Sequence, residues 1–135
     1  MNSARASGAM QSYHNVGAET AVTDADPHHL IQLLLQGVLD RVATAKGHMQ
    51  RDEVGPKGEC IGKAISIIGG LRAALDFEQG GEIARNLGDL YNYMEYGLLE
   101  ANLSNDPAKL DEVARLLGEI RGAWDAIGPQ RVAAR

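Results

Sequence analysis

Residues 80–94 read GGEIARNLGDLYNYM. Ile83, Leu87, Leu90 and Met94, continued by Leu98, recur at steps of three and four, which places them on one face of a helix. Gly80 and Gly81 shape the turn that starts it. Tyr91 lies beside the apolar face, whereas Tyr93 and Tyr96 lie off it. Three of the chain's four tyrosines therefore stand around a single helix. A stripe of apolar residues accounts for a core face, but it does not account for rings on the other sides.

The same periodicity recurs before and after this stretch. Asp26 and Pro27 supply an N-cap and a first helical residue, and Leu30, Leu34, Val38 and Val42 follow as one stripe. The pattern fades at RDEVGPKG, residues 51–58, where Gly55, Pro56 and Gly58 punctuate the chain. A second helix is predicted from about Glu59 to Phe77, with Ile61, Ala64, Ile65, Ile68, Leu71 and Leu75 inward and Ile67 to one side. The third runs from Gly80–Gly81 to about Leu103. Asp106 and Pro107 repeat the cap-and-proline start, and Leu110, Val113, Leu117, Ile120, Trp124 and Ile127 carry the fourth. No segment alternates with period two. The expected fold is all-α, an antiparallel up-down four-helix bundle over residues 23–128. A small, polar N-terminal arm, residues 1–22, precedes it, and a tail that frays after Gly128–Pro129, residues 129–135, follows. Glycines inside the helical patterns at 37, 47, 62, 69, 70, 88, 97, 118 and 122 each cost roughly 1 kcal/mol relative to alanine, so the predicted stability is modest.

Composition narrows the function. The chain has 135 residues, a net charge of −5 and a 4% aromatic content. It is one domain whose core must be mainly aliphatic. An acidic chain lacks the concentrated basic face that nucleic acid or a polybasic membrane contact requires. Cys60 is the only cysteine, so no intrachain disulfide forms. No signal peptide and no membrane-spanning run are legible, which makes the cytoplasm the expected location.

Chemistry is sparse. A di-iron bundle needs Glu-x-x-His pairs, and none occurs. His28 and His29 read as solvated or partner-facing side chains. His14 and His48 have no ligands at useful spacing. Cys60 has no neighbouring His or Cys-x-x-Cys partner. An enzyme, a metal site and a cofactor site are all improbable on these residues. What remains is surplus apolar surface. Leu33, Ile31, Leu35 and Leu39 widen the first helix's apolar arc well beyond the ~100° stripe a bundle helix needs. Two readings stand side by side: a helix central to its own bundle or a homodimer, and a helix facing the core on one side and a binding groove on the other.

The residue order resembles the flagellin-specific export chaperone family, FliS, along nearly the whole chain. The resemblance rests on Tyr13 in the arm, on DADPHHLIQLLLQG (24–37), on KAISIIGGLRAALDFEQGGEIARNLGDLYNYMEYGLLEAN (63–102), and on LDEVARLLGEIRGAWDAI (110–127) with Trp124. It departs at Leu35, where the family shows an aromatic, and in its many glycines. The resemblance implies a chaperone that holds the disordered C-terminal segment of flagellin, prevents premature polymerisation, and delivers it to the export gate protein of the flagellar type III apparatus. It implies no nucleotide, metal or chemical step. Face geometry and resemblance together nominate Leu30, Leu33, Leu34 and Gly37 on the first helix, and Leu90, Tyr91 and Tyr93 on the third, as partner-binding residues. Ile83, Leu87 and Met94 are nominated for the core. Met10, Tyr13 and Val16, three apart in the arm, are candidates for a lid that covers the groove until the client displaces it. The alternative function is a helical homodimer with a scaffolding role.

Overall fold

A computed structural model describes residues 26–133, with side chains through residue 128. Met10, Tyr13 and Val16, and the arm they belong to, lie outside the described residues. Four helices follow one another: α1 (Pro27–Gln50), α2 (Val54–Ala73), α3 (Phe77–Ser104) and α4 (Pro107–Ala133). No strand occurs among the described residues.

Each start has a local cause. The Asp26 carboxylate accepts from the His29 N–H at 2.7 Å, and Pro27 occupies the first helical position. Asp76 accepts from the Glu78 and Gln79 N–H groups at 3.1 Å each, so Phe77 opens α3 rather than closing α2. Asp106 accepts from the Ala108 N–H at 3.0 Å. The α2 start differs from expectation: it falls at Val54, so Gly55, Pro56 and Gly58 are helical. Pro56 sits in the first turn, where the N–H it lacks would have no intrahelical partner anyway, so it does not act as a stop. Gly81 has φ 52° and ψ −125°, which kinks α3 one turn after its start. Gly128, at φ 76° and ψ 162°, breaks α4, and helical backbone continues beyond it to Ala133.

Short joints make successive helices antiparallel, and cross-helix pairs confirm the direction. Lys57 at the start of α2 reaches Asn102 and Asn105 at the end of α3, while Arg72 near the end of α2 reaches Asn92 and Glu95. Lys46 near the end of α1 pairs with Asp111 near the start of α4 at 2.8 Å. The helices pack in a ring, α1 on α2, α2 on α3, α3 on α4 and α4 on α1.

The core is aliphatic except for Tyr91. Leu34, Leu35 and Val38 on α1, Ile67, Ile68 and Leu71 on α2, Met94 and Leu98 on α3, and Leu110 and Leu117 on α4 are fully buried. Each such side chain contributes roughly 1.5–3 kcal/mol through burial. Ile67, expected to one side, is among them. The wide arc of α1 is used internally: Leu30, Leu35, Val42, Ala45 and Met49 are buried, and Ile31, Leu33 and Leu39 pack half-buried against them. Lys57 is also buried; its ammonium donates to the Asn102 carbonyl at 3.1 Å and Asn105 Oδ1 at 2.9 Å. It thereby caps the C-terminus of α3, where carbonyls lack intrahelical donors.

Candidate partner-binding surface

One end of the bundle is fastened by α1 and α4. His28 Nε2 lies 2.8 Å from the Trp124 carbonyl oxygen, and the Trp124 indole N–H donates to the His28 carbonyl at 2.9 Å. A carbonyl only accepts, so Nε2 carries the hydrogen. The two rings stack with centroids 4.8 Å apart and planes 13° from parallel. Gln32 Nε2 donates to Asp125 Oδ1 at 2.6 Å beside them. His28 is thus buried, not solvated or partner-facing as its sequence context suggests, because the capped first turn of α1 lies against the last regular turns of α4. His29 is exposed.

Beside this clasp, α3 and α4 form the thinnest of the four seams. Leu90 from α3 and Leu116 and Ile120 from α4 are half-buried there, and Leu87, nominated for the core, packs half-buried against the core cluster. Ile83 is 72% exposed and Ile127 is 42% exposed. Antiparallel order puts Ile83 level with Ile127, and Leu90 level with Leu116. The result is a line of apolar side chains along the α3–α4 seam, here termed the channel, most exposed at the clasp end. At its other end stands Tyr93, half-exposed, whose hydroxyl donates to Glu112 at 2.9 and 3.1 Å. That hydrogen bond, and then the Glu112 charge, raise the phenol's pKa. The ring is held upright by this tie and presents a flat apolar face with a polar rim.

The structure sorts the nominated residues. Leu90 and Tyr93 lie along the channel. Leu33 and Gly37 are half-buried on α1, which packs on α2 and α4 and stands diagonal to α3, so they do not join that pair. Leu30, Leu34 and Tyr91, nominated as partner-binding, are buried in the core. Their faces were read correctly as apolar, but α1 packs more closely on its two neighbours than α3 does on its own two, and so buries more of its circumference. Burial pushes the Tyr91 phenol up to about 12. Ile83 reverses in the other sense: it keeps the α3 periodicity, but next to the Gly81 kink it meets no neighbour. Met94 is buried as expected. Ile120 and Ile127 were read as core positions of the fourth helix; their place on the channel depends on how thin the seam is, which periodicity does not encode.

Among the described residues no group of three His, Cys, Asp or Glu side chains is placed to hold a metal ion. No helix among them is long and apolar enough to cross a membrane.

The profile of the family described as Flagellar protein FliS matches residues 9–131. The chain belongs to the FliS family. The FliS match takes in the first three helices, α4 to within two residues of its end, and also residues 10–16 of the arm. Among curated FliS relatives, the flagellar secretion chaperone FliSB of Pseudomonas aeruginosa is 57% identical over 119 residues, 88% of this chain and 94% of that protein. The flagellar secretion chaperone FliS of Salmonella typhimurium is 46% identical over 90% of both chains. That of Vibrio cholerae is 41% identical over 91% of this chain and 90% of its own length. These FliS relatives are named as chaperones and not as enzymes.

Proposed function

We propose that this protein is a flagellar export chaperone that binds the disordered C-terminal segment of flagellin in the channel between α3 and α4. The observation that carries the reading is the line Ile83, Leu87, Leu90, Ile120 and Ile127: apolar, between two helices, and most exposed at one end. An amphipathic helix laid into such a channel buries its own apolar face there. A client that is disordered when free loses entropy as it orders, which weakens binding per unit of contact and favours later release. Release at the export gate protein of the type III apparatus completes the cycle, and the whole cycle belongs in the cytosol.

The arm, residues 1–22, is the channel's lid in this reading, with Met10, Tyr13 and Val16 as its apolar points. Support comes from its point of attachment: Asp26 stands at the clasp, the end where Ile83 and Ile127 are exposed. A tethered lid would shield apolar surface in the free chaperone. A chain starting at Thr23 should then bind client faster than the full chain in stopped-flow experiments; an unchanged rate rejects the lid.

The test of the function is titration with a flagellin C-terminal peptide. At about 100 times its dissociation constant the peptide should stabilise the chain by roughly 2.7 kcal/mol and raise its melting midpoint accordingly. No upward shift at saturating peptide would overturn the reading.

A further inference from the structure

Resting on the function proposed above, we infer that the Tyr91 hydroxyl is a polar pin for the bound segment: it donates to a backbone carbonyl at the C-terminal end of the client's helix and so fixes where along the channel that helix stops. Tyr91 is 3% exposed, and its ring belongs to the core cluster. Its hydroxyl bonds to nothing among the described residues, although a buried phenol ordinarily finds a partner. Burial is the one cause that raises its pKa; no hydrogen bond and no charge contributes. Tyr93, two residues on, is the reverse case: its ring is exposed and its hydroxyl is taken by Glu112.

Among the described residues no side-chain nitrogen or oxygen is both sealed from solvent and without a partner. The Tyr91 hydroxyl therefore reaches the surface while its ring stays in the core. A long helical side chain runs back over the preceding turn, toward the start of its helix. From Tyr91 that direction leads past Leu87 and Gly88 toward the clasp end, where Ile83 and Ile127 are exposed. A polar atom rooted in the core thus stands toward the most exposed end of the apolar line.

An apolar line sets no register by itself. A helix lying along Ile83 and Leu90 can shift by one turn, ~5.4 Å, and exchange one apolar contact for another. A hydrogen bond removes that freedom, because it does not survive a displacement of roughly 1 Å. The chemistry of the hydroxyl selects what it takes. A phenol is a donor first, since its lone pair is partly shared with the ring. Within a client helix the carbonyls are occupied by N–H groups four residues on, but those of the last turn are free. A helix that ends beside Tyr91 offers those carbonyls, and neither side needs a charge. The client then supplies the partner that the phenol lacks in its own chain.

The experiment compares the full chain with Tyr91→Phe, which keeps the ring and loses only the hydroxyl. Both are titrated calorimetrically with a flagellin C-terminal peptide. The variant should bind about two- to tenfold more weakly, the net worth of one hydrogen bond. Free of peptide, it should melt where the parent does. A nitroxide at the C-terminal end of the peptide's helix should broaden the Ile83 and Ile127 methyl signals most in the parent. In Tyr91→Phe the broadening should spread to Leu90 and Leu116, because the helix is no longer held in one register. Equal affinity, or the same pattern of broadening, in the variant overturns the pin and leaves the chaperone reading standing. A lower melting midpoint of the free variant also overturns it, since the hydroxyl would then have a partner within the chain, the arm included. No binding by the parent removes the proposed function, and the pin with it.

Discussion

His28 and Trp124 satisfy each other's backbone: each ring nitrogen bonds the other residue's carbonyl, and the rings stack between the two bonds. Trp124→Phe keeps the stack and removes one donor, while the His28 carbonyl retains the helical N–H four residues on. A cost of about 0.5–1.5 kcal/mol, the net value of one hydrogen bond, is expected. His28→Ala, which loses the stack as well, should cost more. Urea denaturation of both variants measures the order. A Trp124→Phe variant as stable as the parent would show that the bond contributes nothing net.

Channel and core should respond differently to the same change. Ile83→Asp puts a charge where water already reaches, so helicity and melting midpoint should stay near those of the parent while peptide affinity falls. Leu34→Asp places a carboxylate in a fully buried site, where an unpaired charge is not tolerated, and should unfold the bundle. Isothermal titration beside thermal melts separates the two. Full client affinity in Ile83→Asp would remove the channel from the binding surface.

The glycines divide by conformation. Gly118 and Gly122 are helical, exposed and have open space at the Cβ position, so alanine at either should stabilise by about 0.4–1 kcal/mol. Gly81 has φ +52°, and alanine there should destabilise by roughly 1–2 kcal/mol. Thermal melts of the three single variants should give two increases and one decrease.

Stability should fall in alkali because of Tyr91. Its folded pKa is raised to about 12, above the ordinary value of 10.0, so the unfolded chain ionises first. The contribution is therefore complete below about pH 10 and is lost as the pH rises toward 12. A shift of this size corresponds to about 2–3 kcal/mol. The pH dependence of urea midpoints in Tyr91→Phe should lack that share of the decline; an identical decline would assign it to other groups.

The fold was legible wherever a signal was local. Asp26–Pro27 and Asp106–Pro107 announce helix starts because cap and proline act within one turn. Pro56 misled because a proline in a first turn and a proline after a last turn look alike in sequence, and only the Lys57 contact with α3 distinguishes them. Phe77 fits the periodicity of the second helix, but the Asp76 cap claims it for the third. The site was harder to read. Leu34 and Ile83 are both apolar and both in phase, yet one is sealed and the other bare. The difference lies in how closely each helix packs on its two neighbours and in the bend at Gly81, neither of which a single helix's pattern records. His28 was unreadable for the same reason, since its partner is ninety-six positions away.

That separation has a topological consequence. The clasp joins the first helix to the last, so the entry and exit points of the bundle lie side by side. A circular permutant that links them and opens the joint at Asn105–Asp106 would keep every helix pair of the ring. In the native connectivity, the same clasp closes nearly the longest loop the bundle allows. Loop closure of that length carries the largest entropic cost of any contact in the fold. That cost grows only with the logarithm of loop length, so the closely packed α1–α4 seam, with its two ring-to-backbone bonds, holds the two ends of the bundle together.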